Sequence, residues 1–187
     1  MRTFIAIELP KEIKEYLAGI QEKLKTSQAD VKWVEPKNIH LTLKFLGDRD
    51  DKKIKQISSL LDEISKEITS YQIKISSVGA FPKIEAPRVI WAGVSDGDNE
   101  TKAIASKLEE EIAWLGIPKE DHPFSSHITI GRTRSGLNVE KLAGMLTNMA
   151  GLMPQSFKAT KITLFKSTLT AGGPIYEALK ETNLKSI

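Results

Sequence analysis

Apolar residues recur along this chain at two periods, and stretches of the two alternate. Positions 3–9 alternate as a strand does, with Ile5, Ile7 and Leu9 on one side. Pro10 suits a helix's first turn. Ile13, Tyr16, Leu17, Ile20 and Leu24 then share one stripe, which predicts an amphipathic helix over 11–26. Val31 to Val34 reads as a short strand stopped by Glu35-Pro36, and Asn38 to Phe45 as another ending at Gly47-Asp48. The spacing of Ile54, Ile57, Leu61, Ile64 and Ile68 predicts a helix over 51–69, whose charged face reads as solvated surface. A strand over 71–78, a breaker-rich loop over 79–87 and a strongly apolar strand over 88–94 follow. The third helix runs over 99–115, stopped by Gly116. A loop through Pro118 and Pro123 leads to a strand over 125–132 and a fourth helix over 138–150. Two strands close the chain, 156–167 and 175–182, joined by Ala171-Gly172-Gly173-Pro174. The order is strand-helix-strand-strand, repeated with variation. It predicts an α+β protein of two antiparallel sheets, helices on the outer faces, with a cleft between them.

Two of the predicted strands carry the same four-residue pattern. His40-Leu41-Thr42-Leu43 is echoed by His127-Ile128-Thr129-Ile130. Successive strand side chains point to opposite faces. Each copy therefore sets an imidazole and a hydroxyl on one face and two aliphatics on the other. The copies lie 127 − 40 = 87 positions apart, close to half of the 187 residues, as a duplicated lobe would give. If the two strands face each other, two imidazoles and two hydroxyls surround one small space, which fits a phosphate diester.

Composition narrows the chemistry. There is no Cys, so neither a disulfide framework, a thiolate nucleophile nor a Cys-based zinc site is available. No stretch approaches the ~20 apolar residues of a membrane span, and the N-terminal apolar run is too short for a signal peptide. These features favour a cytoplasmic protein away from membranes. Net charge is 27 − 24 = +3, which permits a polyanionic partner without demanding one.

Histidine alone among side chains has an unperturbed pKa near neutrality, about 6.5. One neutral ring can take a proton from an attacking hydroxyl while a charged one gives a proton to the leaving oxygen. Thr42 and Thr129 can donate to non-bridging phosphate oxygens. Strict alternation turns Arg132 away from His127, but Gly131 permits a bulge that re-aims it; a surface charge is the equal alternative. Lys44 falls on the His40 face and either contacts phosphate or fringes the cleft. Phe45 alternates onto the buried side as core, or stacks on a base if the strand end is exposed. Trp33 and Trp91 divide the same way, and His122, without a matching Thr, reads as a loop residue. Two His without further ligands at metal spacing make a poor metal site. No metal and no cofactor is expected.

These motifs resemble those of the 2H phosphoesterase superfamily, and nearly the whole chain resembles its RNA 2′,3′-cyclic phosphodiesterase branch, also called 2′-5′ RNA ligases. The matching stretches are Arg2 to Ile7, Trp33-Val34, Asn38 to Gly47, Pro87 to Val94, His127 to Arg132 and Ser167 to Tyr176. The resemblance implies one bilobal domain over residues 1–187, with two pseudo-symmetric lobes, each an antiparallel sheet with outer helices, and a central cleft. It implies metal-free opening of RNA 2′,3′-cyclic phosphate ends to 2′-phosphates, tRNA-derived ends among them, by a monomer. His127 would be the proton acceptor and His40 the proton donor, with Thr42, Thr129 and Arg132 on the phosphate. In reverse, a 5′-hydroxyl replaces water and gives a 2′-5′ linkage without ATP. The residues alone treat the two histidines as equals. The competing class is a non-catalytic RNA-binding module.

Overall fold

The computed structural model describes residues 1–149 and 152–187. In chain order it comprises β1 (Arg2–Glu8), α1 (Lys11–Lys25), β2 (Val31–Trp33), a 3-10 turn (Pro36–Asn38), β3 (His40–Asp48), α2 (Asp51–Ser65), β4 (Tyr71–Lys83) and β5 (Ala86–Val94). Then come α3 (Asp98–Ala113), β6 (His127–Thr133), α4 (Val139–Asn148), β7 (Gln155–Ala159), β8 (Lys161–Thr170) and β9 (Gly173–Asn183). Two sheets result, in orders β3-β1-β8-β9 and β2-β6-β5-β4-β7. Every ladder within them is antiparallel. The α+β class and the two-sheet plan expected from the sequence are what the chain forms.

The sheets are not built from successive halves of the chain. Helix α1 follows β1 of the first sheet yet packs on β6 and β7 of the second. Helix α3 follows β5 of the second sheet yet packs on β3 of the first. Helices α2 and α4 stay on the sheets of the motif strands before them, α2 on β8 and β9, α4 on β4 and β5. The two motif strands take matching places in this exchange: β3 pairs with β1, and β6 pairs with β5.

The apolar faces fix the register. Leu41, Leu43, Ile128 and Ile130 are at most 3% exposed and join one core cluster with Ile5, Ile7, Leu17 and Leu108. Fully burying such a side chain is worth about 1.5–3 kcal/mol. A one-residue slip would turn all of them to solvent, so their burial is what holds His40, Thr42, His127 and Thr129 on the opposite face.

Three expectations are corrected. The segment 156–167 is not one strand: β7 ends at Ala159 in the second sheet and β8 begins at Lys161 in the first. The segment 79–87 is not a loop: β4 runs on to Lys83 and β5 begins at Ala86, a tight hairpin. The glycine there breaks nothing, because a Cβ at Gly79 would lie 2.5 Å from the Trp91 ring. It marks a close approach of indole to backbone. Pro82 sits at a register shift, where a strand tolerates it. Helix α2 stops at Ser65 and not at 69. Helix α4 ends at Asn148, while the predicted end at position 150 falls outside the described residues.

Candidate active site

The site begins with two irregular strand pairings. Between β1 and β3 the register jumps, so that Ala6 faces Thr42 and Ile5 faces Lys44. Between β5 and β6 it jumps likewise: Trp91 faces Thr129 and Ile90 faces Gly131. Each jump inserts one extra residue, Leu43 in β3 and Ile130 in β6. A bulge of this kind reverses alternation beyond it. In β3, Leu43 and Lys44 are both buried and Phe45 emerges; in β6, Ile130 and Gly131 are both buried and Arg132 emerges.

The bulge in β6 is the one anticipated from Gly131, and it turns Arg132 to the His127 face. The bulge in β3 overturns two expectations. Lys44 does not fringe the cleft: it is 2% exposed and its Nζ donates to Glu109 Oε1 of α3 at 2.6 Å. Phe45 is not core but 57% exposed, on the same side as His40 and Thr42. The two motif strands thus end in matched positions, an aromatic ring in one and a guanidinium in the other.

Both bulges are propped from the helix that crosses over. Gln21 of α1, buried, donates through Nε2 to the carbonyls of Val34 (2.7 Å) and Ile130 (2.8 Å). Glu109 of α3 holds Lys44, and also accepts from the Glu120 backbone N–H at 3.0 Å. Gly131 is required where it stands, since a Cβ there would come within 2.9 Å of both Trp33 and Val31. Replacing it with Val forces β2 off β6 and is expected to cost about 1–3 kcal/mol. A urea titration should show that loss.

The imidazoles are tethered identically. His40 Nδ1 lies 2.7 Å from the carbonyl oxygen of Asn38, and His127 Nδ1 lies 2.8 Å from that of Ser125, each two residues back. A carbonyl only accepts, so Nδ1 carries the hydrogen in both rings. Nε2 is left as the working nitrogen, an acceptor when neutral and a donor when charged. Thr42 and Thr129 are half-buried beside the rings, and among the described residues neither hydroxyl has a protein partner.

Aromatic rings wall the histidines. Phe4 lies 4.8 Å from the His40 ring, and Tyr176 meets it edge-on at 5.4 Å. Phe81 meets His127 edge-on at 5.1 Å and packs on half-buried Trp91. These rings bury part of each imidazole, which disfavours the imidazolium. Burial lowers the pKa of both histidines below the usual value. The carbonyl bonds oppose this, while the Lys14 charge adds to it at His40 and the Arg132 charge at His127. Burial raises the Tyr176 pKa, and the charges of Arg2 and Arg132 pull against that rise. Arg132 on β6 therefore acts electrostatically on His127 and on Tyr176, the ring against His40. Strands β3 and β6 are themselves in contact. Phe81 belongs to no motif in the sequence, and Phe4 and Tyr176 lie in matching stretches that assign neither a place beside a histidine. Tyr176 reaches His40 only through the strand order, with β8 and β1 between β9 and β3. His122 is an exposed loop residue, as expected. Among the described residues no three His, Asp or Glu side chains gather as a metal site would need.

A family model described as LigT like Phosphoesterase matches the chain twice, over residues 7–91 and 93–176. Each match contains one His-x-Thr strand. The chain belongs to the LigT-like phosphoesterase family, within the 2H phosphoesterase superfamily. The double match places the family's repeat on the two halves whose helices cross over. Among similar LigT-like proteins, one from Methanocaldococcus jannaschii is 39% identical over 97% of this chain and 99% of its own length, and is named RNA 2′,3′-cyclic phosphodiesterase. One of the same name from Aquifex aeolicus is 35% identical, covering 97% and 96%. Among solved structures, E. coli LigT complexed with 3′-AMP superposes with a TM-score of 0.79 at 27% identity, over 98% of each chain.

Proposed function

We propose that this LigT-like phosphoesterase hydrolyses RNA 2′,3′-cyclic phosphate ends to 2′-phosphates by two-histidine acid-base catalysis without a metal, as one bilobal unit working as a cytoplasmic monomer. The observation that carries this reading is the matched pair of tethered rings, each presenting Nε2 beside an unengaged threonine hydroxyl. The names of the relatives support the substrate class.

In this reading His127 Nε2, neutral, takes a proton from water as the water oxygen bonds to phosphorus. The bond from phosphorus to the 3′ oxygen breaks on the opposite side, and His40 Nε2–H protonates that oxygen. Attack and departure in line require an acid and a base on opposite sides of the phosphorus. Thr42 and Thr129 donate to the non-bridging oxygens, and Arg132 neutralises the charge they carry. Phe45 offers an exposed ring for a base to stack on. A 5′-hydroxyl in place of water gives the 2′-5′ linkage through the same geometry, with tRNA-derived fragments as one source of ends.

The test is turnover of a cyclic-phosphate-ended oligoribonucleotide with and without EDTA. Unchanged turnover in EDTA is expected. Turnover abolished by EDTA and restored by a divalent metal would overturn the mechanism. RNA binding with no turnover under any condition would leave the non-catalytic RNA-binding module.

A further inference from the structure

A cavity of about 280 Å³ opens beside His40, and Phe45 is not part of its lining. The Phe4 ring neighbours both residues, 4.8 Å from His40 and 6.3 Å from Phe45. One wall is apolar, made by Phe165, Tyr176 and Ile175; Ile175 is 56% exposed, an apolar surface with nothing over it. The same lining carries charge. Glu8 ends β1 directly across from His40, and Lys14 of α1 stands beside it, 3.7 Å from Nζ to Glu8 Oε1. Lys14 is fixed there by donating to the Lys37 carbonyl at 2.9 Å. An apolar lining that also holds one carboxylate and one ammonium has the chemistry of a nucleobase site.

Resting on the reaction proposed above, the geometry points to this cavity as the subsite for the base of the nucleotide that carries the cyclic phosphate, with Glu8 and Lys14 selecting guanine. The leaving 3′ oxygen belongs to the terminal ribose and is protonated by His40. The terminal nucleoside therefore lies on His40's side of the phosphorus, where this cavity is; Phe45 is left to the adjoining nucleotide. Single-stranded RNA is read by stacking and by hydrogen bonds to base edges. Guanine offers N1–H and N2–H to a carboxylate and O6 to an ammonium, three bonds. Adenine and cytosine offer one amino group to Glu8 and one ring nitrogen to Lys14. Uracil has a single N–H flanked by two carbonyls that a carboxylate repels. The expected order is guanosine, then adenosine and cytidine, then uridine.

The experiment compares kcat/KM for four oligoribonucleotides that differ only in the base bearing the cyclic phosphate. In parallel, guanosine and uridine 2′-monophosphates are titrated into the protein by calorimetry. A charge-assisted hydrogen bond contributes enough for about a tenfold preference for guanosine over uridine in both measurements. Glu8 is exposed at a strand end, so Glu8→Gln keeps the fold. It should bring both ratios within about twofold, by a loss at guanosine and a gain at uridine, since a neutral amide gives up the charge-assisted pair with guanine and no longer repels the uracil carbonyls. Equal kcat/KM for all four ends, equal affinities for the two nucleotides, or a Glu8→Gln variant that loses all four activities together would overturn the assignment. If no cyclic phosphate is opened at all, the reaction is misread, and the nucleotide titration still decides the cavity.

Discussion

His127→Ala and His40→Ala should each lower turnover of a cyclic-phosphate-ended RNA by about 10²–10⁴-fold, the usual weight of one positioned proton-transfer group. Neither substitution should unfold the protein. The rings are half-buried on the cleft face, and the residues that hold the register, Leu41 and Ile128, are untouched. RNA affinity should survive, because Thr42, Thr129 and Arg132 remain. The pH profile separates these roles from a structural one. Turnover rises as the base loses its proton and falls as the acid loses its own, so kcat/KM follows a bell. In the free protein both pKa values are lowered, chiefly by burial. The bell for kcat/KM should therefore centre below the ordinary histidine value of about 6.5. Bound substrate brings a phosphate anion against both rings, which favours the imidazolium. The bell for kcat should then lie at higher pH than that for kcat/KM. The same lowering predicts a stability effect. A ring that resists protonation when folded takes up protons on unfolding, so stability is lost as pH falls below 6.5. Rate measurements from pH 4 to 9 on wild type and both variants check this. A flat wild-type profile, with chemistry rate-limiting, would remove the acid-base pair.

The alternation of His40-Leu41-Thr42-Leu43 and of its echo could be read because a half-buried strand must alternate, and burial of the aliphatics enforces it. The bulge before Arg132 could be read as well, because a glycine marks a place where the backbone has room. The equivalent bulge in β3 could not. Its buried position holds Lys44, a residue that by composition belongs on a surface and is tolerated inside only because Glu109, 65 positions away, faces it. The same bulge exposes Phe45, so one unseen irregularity reversed two side chains. The hairpin at 83–86 was hidden for a related reason. Gly79 serves the Trp91 ring across the ladder, and no local pattern distinguishes that glycine from a turn glycine. The crossing of α1 and α3 between sheets is likewise absent from periodicity, which shows that a helix has an apolar face but not what covers it.

The buried pair that supports the β3 bulge should be the most sensitive point outside the cleft. Lys44 has a fully buried side chain, and its Nζ has two partners, Glu109 Oε1 at 2.6 Å and the Pro118 carbonyl at 3.4 Å. Removing the carboxylate leaves an ammonium with one long neutral contact, and breaking a buried pair from one side costs about 3–5 kcal/mol. Because Pro118 remains and Glu109 is partly wet, Glu109→Ala should fall at the lower end, about 3 kcal/mol by urea denaturation. Removing the cation is a different experiment. Lys44→Met keeps the length of the side chain and leaves no buried charge, since Glu109 reaches solvent and still accepts from the Glu120 backbone. It should cost under about 1.5 kcal/mol. The asymmetry has a functional consequence. Glu109 holds the middle of the loop that delivers Ser125, whose carbonyl fixes the His127 tautomer. Glu109→Ala should lower kcat in folded protein as well as stability, while Lys44→Met leaves kcat nearly unchanged. Equal destabilisation by the two variants would mean that the pair acts through packing alone and that the charge beneath the bulge is incidental.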